Sequence, residues 1–182
     1  MKKYELTGEV KVKFGVTFKR IRALIDFGNV KKGELGGFIE KEENLSHENN
    51  AWVYDDAEVS GNAKVYGDAW VYGNAWVYDD AWVSGNARVY DDAEVYGNAE
   101  VSGNAEVSGN ADYVLIGRVG SRFGFTTFFR NKNNEIYVSC GCFLGTLAKF
   151  RKKVKETHGT DTKYAKVYQA AADLAEMQIL NK

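Results

Sequence analysis

"GNAKVYGDAWVYGNAWVYDD", residues 61–80, runs through one six-residue phrase three times and begins a fourth. Followed in both directions, the hexads start at Asn50 and read NAWVYD, DAEVSG, NAKVYG, DAWVYG, NAWVYD, DAWVSG, NARVYD, DAEVYG, NAEVSG and NAEVSG, ten without an insertion. Alanine holds the second place and valine the fourth, while the last and first places hold only Gly, Asp or Asn. In Ala-x-Val the apolar residues are two apart, so they share one face of a short strand. The small pair that follows tolerates left-handed or turn dihedrals and ends the strand. A strand every six residues, each turned by the same amount, generates a coil that stacks on itself.

This pattern is similar to the hexapeptide-repeat, left-handed β-helix family, whose signature is an aliphatic residue followed four places later by a small one; Val53 and Ala57 begin that series. The resemblance implies a triangular prism with three strands, or eighteen residues, per coil. Sorting by eighteen tests this. The last places read Asp55, Gly73, Asp91, Gly109 in one column and Gly61, Asp79, Gly97 in a second; the third is all glycine. The first places read Asp56, Asn74, Asp92, Asn110, then Asn62, Asp80, Asn98, then Asp68, Asn86, Asn104. No aspartate follows another in its column. Coils stacked at ~4.8 Å would bring like charges into repulsion, and this alternation avoids it.

Ten hexads make about three coils around a core of Ala and Val, and a prism that thin has open ends that need covers. The N-terminal stretch "VKVKFGVTFKRIRALIDFG" alternates like a hairpin, and "GELGGFIEKEENLSHEN" resembles an irregular first coil with Ile39 and Leu45 in the alanine column. These phrases, with "TTFFRNKNNEIYVSCGCFLGTLAKF", look like a family of small proteins common in phages and prophages, often labelled only as hexapeptide-repeat or transferase proteins. After the repeat, "DYVLIGRVG", "FGFTTFFRN" and "EIYVSCGCF" read as three strands. A helix capped by Thr146 then runs to about His158, and a second begins near Asp161, its predicted stripe being Tyr164, Val167, Tyr168, Ala171, Leu174 and Ala175. The expected fold is mainly β: a short left-handed parallel β-helix of about three coils (50–111), an N-terminal β cap with a first irregular coil (1–49), and a C-terminal α+β domain (112–182).

Composition is that of an ordinary folded chain, 45% hydrophobic with net charge −1. The charge divides unevenly. Residues 1–50 hold ten Lys/Arg against eight Asp/Glu, residues 51–111 two against eleven, and residues 112–182 twelve against six. An acidic middle is thus followed by a basic C-terminal region. No apolar run is long enough for a membrane span, and "MKKYELTGEVKVKF" lacks the apolar core of a signal peptide, so a cytoplasmic protein is expected. Cys140 and Cys142 in "SCGCF" are too few for a structural zinc and read as a free, packed pair of thiols.

Ten Trp and Tyr side chains flank the inward valines and are expected to point outward. One face carries Trp52, Tyr54, Trp70, Tyr72 and Tyr90, the next Trp76, Tyr78 and Tyr96, the third only Trp82 and Tyr66. The first is the expected interface of a homo-oligomer, a trimer being usual for the family resembled. Acyl transfer is the reaction that resemblance suggests, with a histidine base. Only His47 and His158 are present, neither in the regular coils, and no loop interrupts the hexads to form a pocket. No catalytic set, metal site or cofactor motif emerges. The basic region is the better candidate: Gly145 and Thr146 precede a helix whose free N–H groups suit an anion, Lys149 follows, and Arg118, Arg122 and Arg130 lie on the preceding strands or loops. The expectation is a binding protein for a small phosphorylated ligand, by analogy a phage counter-defence protein that sequesters a nucleotide-type signal or blocks a host protein. Acyl-CoA-dependent transfer and a pure protein-interaction scaffold are the alternatives. Nucleic acid is disfavoured, because the acidic prism repels a long phosphate backbone.

Overall fold

The computed structural model describes residues 2–180. Three strands come first, β1 (Tyr4–Lys13), β2 (Val16–Ala23) and β3 (Leu35–Ile39). Ten two-residue strands follow, one per hexad: β4 (Trp52–Val53), β5 (Glu58–Val59), β6 (Lys64–Val65), β7 (Trp70–Val71), β8 (Trp76–Val77), β9 (Trp82–Val83), β10 (Arg88–Val89), β11 (Glu94–Val95), β12 (Glu100–Val101) and β13 (Glu106–Val107). Each of the first seven, β4 to β10, pairs in parallel with the strand eighteen residues on, Trp52 against Trp70 and Arg88 against Glu106. The result is a three-faced β-solenoid with faces β4-β7-β10-β13, β6-β9-β12 and β5-β8-β11. Coil joins coil through the main chain: Trp52 N donates to Ala69 O at 3.0 Å and Tyr54 N to Val71 O at 2.8 Å. Every repeat alanine and valine from Ala51 to Val107 is buried.

The corners explain the Asp/Asn/Gly columns. Asp55, Asp79 and Asp91 adopt φ of 52°, 59° and 55°, the left-handed region that aspartate tolerates better than most residues. The Asp55 carboxylate accepts the N–H of Gly73 in the next coil (3.2 Å), and Asp79 accepts that of Gly97 (3.3 Å). In the first-place columns, Asn50 Nδ2 donates to Asp68 (2.8 Å), Asn62 to Asp80 (3.1 Å) and Asn74 to Asp92 (3.1 Å). Asparagine turns a repulsive stack into a hydrogen-bonded one.

The N-terminal cap is a hairpin, as its alternation predicts. Phe14 and Gly15 form its two-residue turn with φ of 51° and 81°, the double positive φ of a type I′ turn. Strand β3 pairs with β5, so β1, β2 and β3 extend one solenoid face into a six-stranded sheet. The irregular first coil brings the solenoid to about four turns. Its register corrects the expectation for Ile39 and Leu45. They align with Val59 and Val65, in the valine column. The offset to the next coil is twenty residues there and eighteen from Val53 on, so two extra residues lie between Leu45 and Val53. Gly37 occupies the alanine place, where a Cβ would lie 2.6 Å from Ala57 O. The side chain of Asn44 continues the ladder, donating to Ala63 O at 2.9 Å.

At the other end lies an antiparallel sheet in sequence order: β14 (Tyr113–Val119), β15 (Gly124–Arg130), β16 (Ile136–Cys140) and β17 (Phe143–Thr146). The last of these is a fourth strand where three are expected; Gly141, at φ 59°, and Cys142 make a tight turn that folds Phe143 back onto Cys140. Helices α1 (Leu147–His158) and α2 (Lys163–Leu180) cover one face. Thr146 caps α1 by accepting from Lys149 N, and Gly159 follows its end at φ 75°. The buried stripe of α2 is Ala165, Ala171, Ala172, Ala175 and Ile179; Leu174, expected inside, is 48% exposed. The sheet's other face covers the last coil, with Phe129 and Tyr113 entering the solenoid core. Glu100 N donates to Thr127 Oγ1 (2.9 Å) and Lys132 N to Asn104 O (3.1 Å) across this junction. No described helix is long and apolar enough to cross a membrane.

Candidate functional site

Two tight turns, at Gly120–Gly124 and Gly141–Cys142, end the C-terminal sheet on the side where α1 finishes and α2 begins. Between them and the helices lies a cavity of about 390 Å³. Its walls are aromatic: Phe125, Phe143, Phe150, Tyr168 and the imidazole of His158. Phe150 meets Tyr168 edge-on at 5.7 Å, and His158 stacks on Tyr168 at 5.7 Å. Gly120 makes this wall possible, because a Cβ there would lie 1.9 Å from the Tyr168 hydroxyl. The cations are Arg122 and Lys153. Their neighbours on α1 are engaged elsewhere: Arg151 bonds Asp173 (2.7 Å) and Glu176 (2.8 Å), and Lys152 lies 3.9 Å from Glu156. Among the described residues no carboxylate pairs with Arg122 or Lys153.

The cavity also holds thiols. Thr126 Oγ1 donates to Cys140 Sγ at 3.1 Å, and Cys142 is exposed at the hairpin tip. The Tyr168 phenol is held above the ordinary range, first by burial and then by Cys140, against the pull of Arg122. A neutral phenol, two unpaired cations and stacked rings suit a ligand that carries both an anionic group and a flat ring.

The residues named from sequence fall in three places. Arg122 is in the cavity. Gly145, Thr146 and Lys149 lie at the start of α1, next to Tyr137 rather than Cys140 in the β16–β17 register. The twelve residues of α1 put about 18 Å between its ends. Arg130 is a third case: its Nε bonds the buried Asp112 at 2.9 Å, and its terminal nitrogens reach Asn134 and the Ile179 carbonyl at the end of α2. It joins sheet to helix. Arg118 is exposed on β14 at φ 52°, beside a register shift, and does not line the cavity. Lys153, His158 and Tyr168 were missed as a group. Lys153 and His158 lie on the second half of α1 and Tyr168 in the second turn of α2, which face the strand turns only after folding.

The histidine expected at the first coil, His47, has a structural environment. It stacks on Tyr4 at 4.3 Å, and its Nδ1 accepts the Lys3 N–H at 3.2 Å. Its Nε2 lies 3.9 Å from the Glu42 carboxylate.

On the solenoid, the aromatic face divides. Trp52 is fully buried under Tyr4 and Phe27, so it is not available to a partner as expected; the N-terminal cap covers it. Tyr54, Trp70, Tyr72 and Tyr90 remain half-buried. Tyr72 and Tyr90 stack at 5.0 Å, and the Arg88 guanidinium lies 5.2 Å over Trp70. Asn29, Tyr54, Asp55, Trp70, Tyr72 and Arg88 line a groove of about 430 Å³.

Residues 63–79 and 69–85 match the YdcK beta solenoid repeat. Over 68 residues the chain is 34% identical to the Escherichia coli (strain K12) protein called uncharacterized acetyltransferase YdcK. That match covers 33% of this chain and 21% of the relative, so the chain spans about a fifth of the length of the curated protein it resembles. The two are alike as hexapeptide-repeat β-solenoids.

Proposed function

We propose that this protein binds rather than converts, and that its C-terminal cavity takes a small anionic ligand with a flat ring, the nucleotide class. The carrying observation is that Arg122 and Lys153, which pair with no carboxylate among the described residues, share one cavity of about 390 Å³ with the ring walls of Phe150, Tyr168 and His158. Charge-assisted hydrogen bonds would hold the phosphate, and the rings would hold the base. The solenoid serves as the scaffold that brings several copies together through Tyr54, Trp70, Tyr72 and Tyr90, a trimer being the expected form. In the setting suggested by the likeness to phage proteins, the assembly would act in the host cytoplasm, removing a nucleotide signal or occupying a host defence protein.

The test is calorimetric titration of mono- and cyclic nucleotides into the wild type, Arg122→Ala and Lys153→Ala. Each substitution should weaken binding roughly tenfold or more, the worth of one charge-assisted bond. Unchanged affinity in both variants would overturn the reading. Acetyl transfer is the second reading, and its support is the name and repeat of the YdcK relative. Acetyl-CoA also joins phosphates to a flat ring, so binding alone does not separate the two. Release of free CoA thiol in the presence of an acceptor, lost in His158→Ala or His47→Ala, would favour transfer.

A further inference from the structure

On the far side of the β16–β17 tip lies a second cleft, between that hairpin and the solenoid face β6-β9-β12. Its volume is about 320 Å³, at the lower end of small-molecule sites. Two serines, Ser84 and Ser102, are part of its lining. At the fifth hexad place this face reads Tyr66, Ser84, Ser102, whereas the face through β7 reads Tyr54, Tyr72, Tyr90, Ser108. Serine at 84 and 102 leaves a floor of hydroxyls between the rings of Tyr66 and Trp82 on one side and Phe143 on the other. Trp82 is 43% exposed and Tyr66 37%. The charged group in the cleft is Glu100, whose carboxylate accepts from Ser139 Oγ at 2.7 Å. Among the described residues no cation pairs with Glu100.

Three rings, hydroxyl acceptors and an uncompensated carboxylate are the chemistry that holds an ammonium ion. The rings attract a cation through their faces, and the carboxylate supplies its counter-charge. The molecule itself shows that the Trp82 face takes a cation, since the Lys64 ammonium lies 5.6 Å from its ring centre. The surrounding repeat region, two Lys/Arg against eleven Asp/Glu over residues 51–111, concentrates cations and repels anions. We infer that the Trp82–Glu100 cleft is a binding site for an organic ammonium group, distinct from the basic cavity on the other side of the same hairpin. It rests on none of the residues that carry the anion-binding reading except the shared tip at Gly141–Phe143.

Spermidine and choline, titrated separately into the full chain by calorimetry, test this and distinguish a polyamine from a quaternary headgroup. At least one should bind in the micromolar to millimolar range. Trp82→Ala and Glu100→Gln should each weaken that binding about tenfold, and Ser84→Tyr, which fills the cleft, should abolish it. Lys64→Ala removes the internal competitor and should tighten it. Glu106→Gln deletes an equal charge from another face and should leave it unchanged. The inference is overturned if neither amine binds, if Ser84→Tyr binds like wild type, or if Glu106→Gln weakens binding as much as Glu100→Gln. Thermal melts of each variant show that the fold is intact.

Discussion

Asn74 lies against Asp92 of the next coil, donating Nδ2–H to its carboxylate at 3.1 Å. Replacing Asn74 with Asp would exchange that bond for like-charge repulsion, costing up to about 1 kcal/mol, or roughly 2–4 °C in Tm for a chain of this size. Melts at rising salt should recover most of the loss, since the corner is exposed and screening is effective; a salt-independent loss would contradict the account. His47 carries a different prediction. Burial holds its imidazole below the ordinary histidine range, opposed by the Glu42 carboxylate. As pH falls below about 6.5, the unfolded chain takes up a proton that the folded chain resists, so stability should decline through that window. His47→Gln keeps an acceptor for the Lys3 N–H without the titration. Its Tm should be flatter between about pH 7 and 5 than that of the wild type, and equal slopes would remove His47 as the cause.

At the scale of elements, the N-terminal hairpin inverts the usual arrangement. Lys11 and Lys13 point inward to the buried Glu58, at 2.5 and 2.7 Å, while Val10, Val12 and Phe14 face outward. Inward charge on the edge strand β1 discourages sheet-to-sheet pairing, and here it also fastens the hairpin to the solenoid. The double substitution Lys11→Ala/Lys13→Ala leaves a buried carboxylate alone. Its cost should reach several kcal/mol, discounted because the lysines are themselves partly exposed. Limited proteolysis should then cut within the hairpin first; unchanged protection would refute the clamp. The hairpin was readable because alternation in "VKVKF" signals a strand whichever face is charged. The stripe of α2 was not, because alanine dominates the helix and small residues do not say which side is covered. The expected stripe counted Leu174 and left out Ala172 and Ile179, which the sheet covers instead.

For the whole molecule, the repeat specifies its own packing and the flanks decide whether it can exist alone. Ala and Val at fixed places make the solenoid legible from the sequence, since each coil restates the one before. Phe129 closes the last coil and is fully buried, so Phe129→Ala should cost about 3–5 kcal/mol and promote association through the uncovered edge; a melt within a degree of wild type would contradict the capping role. The site was legible only as a region. A basic C-terminal stretch points to an anion, but Arg122, Lys153 and His158 come to line one cavity through the fold of a four-stranded sheet in which only three strands are expected from the sequence. Arg130 shows the converse, a cation whose charge is consumed in joining β15 to Asp112 and α2. The most direct test of the central reading is native mass spectrometry of protein purified from cells, with denaturation to release and identify whatever it carries. The account predicts an assembly of 20.3 kDa protomers bearing a small phosphorylated compound, lost when Arg122 and Lys153 are both replaced by alanine. An assembly that carries nothing, and that takes up no nucleotide when one is added, would contradict it.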